Sequence, residues 1–297
     1  MGYHSSWRKS AAASRFEANC PLCGGRIVGE APCGQCHAPL EVIRSVAARA
    51  QVPRYIGVLG PSGVGKTVYL GMLLDLLARG AGGLHGVARG SFSVALHRNL
   101  MLALERQRFP EKTPTEPDRW QWAHCEVGAG RRGRGFDIVT PDVAGEAVMA
   151  EIESPGANPT VRALIGRCAG LVVLADALQV AADGQGQELF AMQLINYLDS
   201  FRSSRRRKVD VPVALVFTKA DLCEEPIHDP AHFAAAHAPG LMKLCRARVR
   251  RYHVFCSGVA GSCAQLIGRD GCETLVPLRV EPRGVIEPFA WMLTQLR

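Results

Sequence analysis

The chain has 297 residues, 47% of them hydrophobic and 21% charged, with a net charge of +8. These are ordinary globular proportions, at a length that fills one large domain, or one domain and a small module, without disulfide staples. A membrane-crossing helix is excluded, because it needs about 18 continuous apolar residues and the richest run, 211–217, has seven.

The N-terminus is polar and basic and lacks the apolar segment of a secretory signal. Gly2 and Ser6 fit the loose myristoylation pattern, which chance often produces. Residues 1–18 are therefore expected to form a flexible tail, and the protein to be cytoplasmic and off the membrane. Three basic clusters, Arg131-Arg132-Gly133-Arg134, 202–208 and 243–251, carry part of the charge. They read as solvated faces, or as contacts for an acidic partner. No aromatic residues interleave them as a single-strand platform requires, so nucleic acid is the lesser alternative.

Residues 19–40 contain Cys20, Cys23, Cys33 and Cys36, spaced C-x2-C-x9-C-x2-C. A two-residue gap lets both thiolates of a turn reach one tetrahedral ion, and four thiolates leave no open position. The pattern predicts a structural zinc ribbon with a hairpin at Arg26-Ile27-Val28. His37 is an alternative ligand that four cysteines make unnecessary. The other seven cysteines (Cys125, Cys168, Cys223, Cys245, Cys256, Cys263 and Cys272) are scattered, and most read as small buried hydrophobes. Residues 41–52 are expected to link the ribbon to the next domain, partly as a helix.

From Pro53 to Arg297 strands and helices alternate, which predicts an α/β domain of three layers around a mostly parallel sheet. Strands are expected at 54–59, 91–96, 120–127, 136–139, 170–174, 211–217 and 252–255, with an edge strand at 275–280. Helices are expected at 66–79, 98–108, 187–201, 231–248 and 289–296. Residues 109–118, with three prolines and two threonines, read as a loop.

The first strand runs into Gly60-Pro61-Ser62-Gly63-Val64-Gly65-Lys66-Thr67, which is G-x-x-x-x-G-K-[ST] between a strand and a helix. Gly60, Ser62, Gly63, Val64 and Gly65 turn backbone N–H groups inward as an anion nest, to which the helix N-terminus adds its partial charge. Lys66 spans the terminal phosphates and the Thr67 hydroxyl ligates Mg²⁺. Asp142-Val143-Ala144-Gly145-Glu146 follows a strand, so that Asp142 can hold Mg²⁺ through water and the Gly145 N–H can reach a γ-phosphate oxygen. Thr218-Lys219-Ala220-Asp221 follows another. There Asp221 can accept both guanine donors, a pair adenine does not offer, and the Lys219 stem can lie against the base.

In these motifs the chain resembles the Ras-like P-loop GTPases of the translation-factor-related class. The resemblance implies GTP and GDP as ligands, and Ser257 of Phe255-Cys256-Ser257-Gly258 as a backbone contact to guanine O6. Thr218 stands where that class more often has Asn, an exchange expected to weaken a loop-bracing hydrogen bond. The cysteine ribbon, the long insertion and the Asp-x-x-Gly-Glu motif are also similar to bacterial double-GTPase families associated with conflict systems.

Two departures stand out. Asp142 lies 76 residues after Lys66, an insertion around 80–135 that must hold the switch threonine. Thr113 and Thr115 both qualify as its Mg²⁺ ligand. Glu146 takes the place of a catalytic glutamine, so either its pKa is raised or another group orients the water. Arg131, Arg132 and Arg134 are near enough in sequence to act in cis, or form a basic loop. Lys66, Gly145 and Glu146 are the catalytic candidates. The leading expectation is a slow GTPase switch with a protein effector. The alternatives are a nucleotide-gated scaffold with negligible turnover and a P-loop ATPase.

Overall fold

A computed structural model describes residues 17–49, 53–129, 136–182, 185–201, 208–223, 225–267 and 273–296. A short hairpin, β1 (Glu17–Asn19) antiparallel to β2 (Arg26–Val28), opens it. Helix α1 (Leu40–Ala47) buries Val42, Ile43 and Val46 in the apolar cluster that also holds Leu22 and Ile27 of the ribbon.

The phosphate-loop half follows: β3 (Arg54–Leu59), α2 (Lys66–Ala78), β4 (Leu84–Ala88) and α3 (Gly90–Glu105). Next come β5 (Trp122–Ala129), β6 (Phe136–Pro141), α4 (Gly145–Glu153) and α5 (Pro159–Ile165). The second half holds β7 (Gly170–Asp176), α6 (Ala177–Ala181), α7 (Gln185–Ser200) and β8 (Val213–Thr218). It continues through α8 (Glu225–His228), α9 (Pro230–His237), α10 (Pro239–Arg248) and β9 (Tyr252–Cys256). A hairpin of β10 (Ser262–Ile267) and β11 (Glu273–Arg279), then α11 (Ile286–Gln295), completes it.

Seven strands form one sheet in the order β4-β5-β6-β3-β7-β8-β9. From β6 to β9 all neighbours are parallel, and β5 is antiparallel to both of its neighbours. Every residue of β7 and β8 is buried, as interior parallel strands covered on both faces must be. Side chains alternate between the faces. Ile56, Val58, Val172 and Leu174 meet α2, α3 and α11 on one face. Tyr55, Leu59, Leu171 and Val173 meet α4, α5, α7, α9 and α10 on the other. The architecture is the three-layer α/β arrangement with a small cysteine module ahead of it. Among the described residues no helix is long and apolar enough to cross a membrane.

Several local expectations are corrected. Residues 91–96 lie in α3 rather than a strand. The Glu41 carboxylate holds the Ser91 N–H and hydroxyl at 2.5 and 2.6 Å, and Leu96, Leu100 and Leu104 then pack at four-residue spacing in the α2 cluster. That spacing outweighs the shorter alternation of Phe92, Val94 and Leu96. The stretch 231–248 is two helices, α9 and α10, broken at Pro239, which cannot continue a helix from Ala238. Residues 275–280 do not edge the main sheet, because β11 pairs with β10 instead. Strand β4 was not anticipated, since its glycine-rich surroundings hide it.

The ribbon sits at the end of the sheet remote from the phosphate loop. Gly24 lies against Arg167, in the turn that enters the N-terminal end of β7. Helix α1 is fastened to β5 and β6 by a buried polar chain. Ser45 Oγ lies 3.0 Å from His124 Nδ1, and His124 Nε2 lies 3.2 Å from Asp137 Oδ1. Arg49 then bridges Asp137 at 3.0 Å and Glu126 at 2.8 Å.

Burial pushes the His124 pKa down, against the pull of Asp137. The unfolded chain therefore binds the extra proton first. This contribution to stability is complete above about pH 6.5 and is lost as pH falls from there through the depressed folded value, by at most about 1.4 kcal/mol per pH unit. Urea unfolding midpoints between pH 7.5 and 5 should fall more steeply for the native chain than for His124→Gln.

Candidate functional site

The loops after β3, β6, β8 and β9 converge at the C-terminal end of the sheet, where ligands of open α/β sheets bind. They enclose a cleft of about 310 Å³. Ser62 to Thr67 form its floor, Phe109 to Thr113 one wall, and Lys219, Asp221 and Ser257 to Ala260 the other end. Gly60 and Asp142 lie behind this surface.

The phosphate loop folds as its sequence requires. Gly65 caps α2 with φ 95°, a left-handed conformation open to glycine. Lys66 is 6% exposed, and its Nζ donates to the carbonyls of Gly60 at 3.1 Å and Pro61 at 2.8 Å. Desolvation pulls its pKa down, with Asp142 and Glu146 pulling the other way.

Next to Lys66 lies a compact oxygen cluster. Asp142 Oδ2 accepts from Thr67 Oγ1 at 2.7 Å and from Thr113 Oγ1 at 2.9 Å, and the two hydroxyls are 3.2 Å apart. Asp142 is 2% exposed, and its Oδ1 has no hydrogen-bond partner among the described residues. Burial raises its pKa, with the two threonine bonds and Lys66 opposing. A buried carboxylate oxygen without a partner, beside two hydroxyls, is a donor set suited to a hard divalent cation. Of the two candidate threonines, the fold brings Thr113 into this cluster. Thr115 is exposed and lies outside both the cluster and the cleft.

Gly145 opens α4 directly beneath the phosphate loop. A Cβ there would fall on Ser62 N and come within 2.5 Å of Pro61 C, so only glycine allows this approach. Glu146 is exposed at the cleft. A side-chain hydrogen bond with Ser62 is the main influence lowering its pKa, and the charges of Lys66 and Lys112 act the same way. The arginines at 131, 132 and 134 lie outside the described residues, as do 202–207, Cys272 and most of the N-terminal tail.

At the other end of the cleft, Lys219 has φ 57° and its Nζ lies 2.6 Å from Asp176 Oδ2. Asp221 Oδ2 accepts from the N–H groups of Val259 at 3.1 Å and Ala260 at 2.6 Å. Ser257 is buried, and its carbonyl accepts the Ala220 N–H at 3.1 Å. Gly258 packs so tightly that a Cβ would meet Asp221 at 2.9 Å. The loops after β8 and β9 are thus one unit. The Thr218 hydroxyl lies 2.8 Å from the Val64 carbonyl and 3.1 Å from that of Ala175. The Thr218 hydroxyl thus still reaches the phosphate loop, so the loop retains a brace with threonine in place of the commoner asparagine.

The four ribbon cysteines are buried, and their sulfurs all lie within 4.8 Å of one another. Cys20 and Cys36 are 3.7 Å apart, and Cys23 and Cys33 3.5 Å. A tetrahedron with Zn–S bonds of about 2.3 Å has edges of about 3.8 Å, so the set fits zinc. His37 is not in the cluster. Cys125 and Cys245 are pushed up to about 12 by burial, which makes them unreactive thiols.

Sequence reasoning missed Asp176, Lys112, Phe109, Cys263 and Leu275. The first announces itself only as an acid ending a buried strand. The last two come from the β10–β11 hairpin, whose approach no local pattern encodes.

This fold and phosphate loop define a P-loop nucleoside-triphosphate-binding protein. Residues 54–243 match the family model Double-GTPase 2, and the chain belongs to that family; at that level it is a GTP-binding GTPase. No curated protein matches the sequence. Among solved structures the chain is similar to one from the "Signal recognition particle receptor SRb-GTP/SRX complex from Chaetomium thermophilum". The two are 16% identical, with a TM-score of 0.35, over 70% of this chain and 91% of that one.

Replacing Gly145 by alanine should force the phosphate loop off its seat at a cost of about 1–3 kcal/mol. Thermal unfolding should report the loss. Fluorescent GDP titration should show binding weakened by about ten- to a hundredfold.

Proposed function

We propose that the protein is a molecular switch that binds GTP, hydrolyses it slowly to GDP and phosphate, and signals the difference to a protein partner. The observation that carries this reading is the meeting of Thr113 with Asp142 and Thr67. It joins a long surface loop to the phosphate-binding corner, so that the loop's position can depend on what the corner holds.

In this reading Gly60, Ser62, Gly63, Val64, Gly65 and Lys66 bind the phosphates, and Lys66 and the Gly145 N–H stabilise charge on the transferred group. Thr67, Asp142 and Thr113 would hold Mg²⁺, which when bound neutralises charge on the phosphates. Asp221 selects guanine, the Lys219 stem flanks the base, and the backbone at Ser257 meets its O6. Cys20, Cys23, Cys33 and Cys36 hold a structural zinc in a ribbon spanning 19–40, joined through 41–52 to a GTPase domain at 53–297. The ribbon's place at the far end of the sheet supports a role as a docking knob. The similarity to double-GTPase families supports a cytoplasmic role in a bacterial defence system.

A second reading, a nucleotide-gated scaffold with negligible turnover, is favoured by one observation. Glu146, ionised beside the phosphate corner, is a poor substitute for a water-orienting glutamine. Multiple-turnover phosphate release from the zinc-replete chain separates the two, and release no faster than spontaneous hydrolysis would establish the scaffold.

Thr113→Ala removes a bond of about 1.5–3 kcal/mol to a charged group. It should weaken GTP binding by about ten- to a hundredfold while leaving GDP binding nearly unchanged, and Thr115→Ala should match the native chain. Asp221→Asn should move preference from guanosine to xanthosine nucleotides by competition titration. Unaltered guanosine selectivity would remove Asp221 from the base site.

A further inference from the structure

Lys219 adopts a left-handed backbone that a long side chain takes up only when its surroundings hold it there. Asp176, the last residue of β7, supplies that hold. It is the register partner of Thr218 in the neighbouring strand, so the lysine leaves β8 directly beside it. The Asp176 side chain is almost fully buried, whereas that of Lys219 is one-third exposed.

The two oxygens of Asp176 have separate tasks. Oδ1 accepts the N–H groups of Leu178 at 3.0 Å and Gln179 at 3.4 Å, capping α6. Oδ2 takes Lys219 Nζ at 2.6 Å and Gln179 Nε2 at 3.3 Å. Gln187 of α7 closes the frame, donating to Gln179 Oε1 at 2.7 Å and accepting the Asp176 N–H at 3.1 Å. A carboxylate held by this many donors cannot swing away, and neither can the ammonium it holds.

We infer that Asp176 is a positioning residue for the nucleobase: it pins the head of Lys219 so that the lysine stem stands as a fixed wall of the base pocket. This rests on the reading of the cleft as a guanine site. Lys219 lines the cleft together with Asp221 and the loop Ser257 to Ala260. A lysine stem free in solution must lose rotamer freedom when a ligand lands on it, and one already pinned has lost it on folding. The stem touches the flat face of a purine and not its edge. Asp176 therefore sets how tightly a purine is held, while Asp221 sets which purine is chosen.

Asp176→Asn separates this role from capping. Asparagine is as good a cap as aspartate, but its amide can no longer neutralise the ammonium. GDP, IDP and ADP affinities and GDP release rates would be measured on the full, zinc-replete chain with Mg²⁺. The proteins are the native chain, Asp176→Asn, Lys219→Ala and the double variant. Asp176→Asn should weaken GDP and IDP by the same factor, about tenfold, mainly through faster release. The double variant should bind no worse than Lys219→Ala alone.

Binding by Asp176→Asn within twofold of the native chain would overturn the assignment. So would a double variant whose loss is the product of the two single losses, or a changed GDP-to-IDP ratio. Asp176→Ser, which keeps a capping oxygen, carries the same comparison if the asparagine variant melts early. A native chain that binds ADP as well as GDP would instead bring down the guanine reading itself, and this assignment with it. That outcome is visible before any variant is made.

Discussion

Asp142 is a carboxylate almost wholly removed from water at the end of β6, and an isolated charge in such a place is costly. Two threonine hydroxyls and the neighbouring Lys66 offset part of that cost, yet among the described residues one oxygen is left without a partner. The surrounding loops are arranged around this one demanding group. Thr67 reaches it because α2 begins at the phosphate loop. Thr113 reaches it from a proline-rich segment nearly 30 residues upstream, so an exposed loop is tied to the deepest charge of the cleft.

Close backbone approach does the rest of the assembly. Gly145 lets α4 start against Pro61 and Ser62, and Gly258 lets the loop after β9 close on Asp221. The Thr218 hydroxyl ties the loop after β8 to the phosphate loop through the Val64 carbonyl. The Thr218 bond of 2.8 Å is what joins the two ends of the cleft, while each glycine closes one end upon itself. At the opposite end of the sheet the ribbon and α1 are fastened by the chain from Ser45 to Glu126. That chain uses β5, which begins beside Asp142, and β6, which ends there.

Much of this was legible in the residues alone. The phosphate loop is a contiguous pattern whose glycines, lysine and threonine each have a local reason to be where they are. The four cysteines carry their own spacing rule. The buried parallel strands read as apolar runs, because both faces of such strands are covered. Helix α3 is legible only in part: its first turn alternates like a strand, and only packing on α2 and the Glu41 cap favour the helix. Residues 275–280 read as an edge strand of the main sheet although β11 pairs with β10, since a strand's partner is not written in the strand itself.

The sequence by itself determined the class of fold, the phosphate loop and the metal-type cysteine set, because each is encoded within a few consecutive residues. Tertiary structure alone set Thr113, rather than Thr115, against Asp142, because their local surroundings are alike and their distances to Asp142 depend on how a long insertion folds back. It alone set Glu146 beside Ser62, brought Asp176 under Lys219, and gave the Thr218 hydroxyl the Val64 carbonyl as a partner. Those outcomes depend on which strands are neighbours and how deeply a charge is buried, and such quantities exist only once the chain has closed on itself.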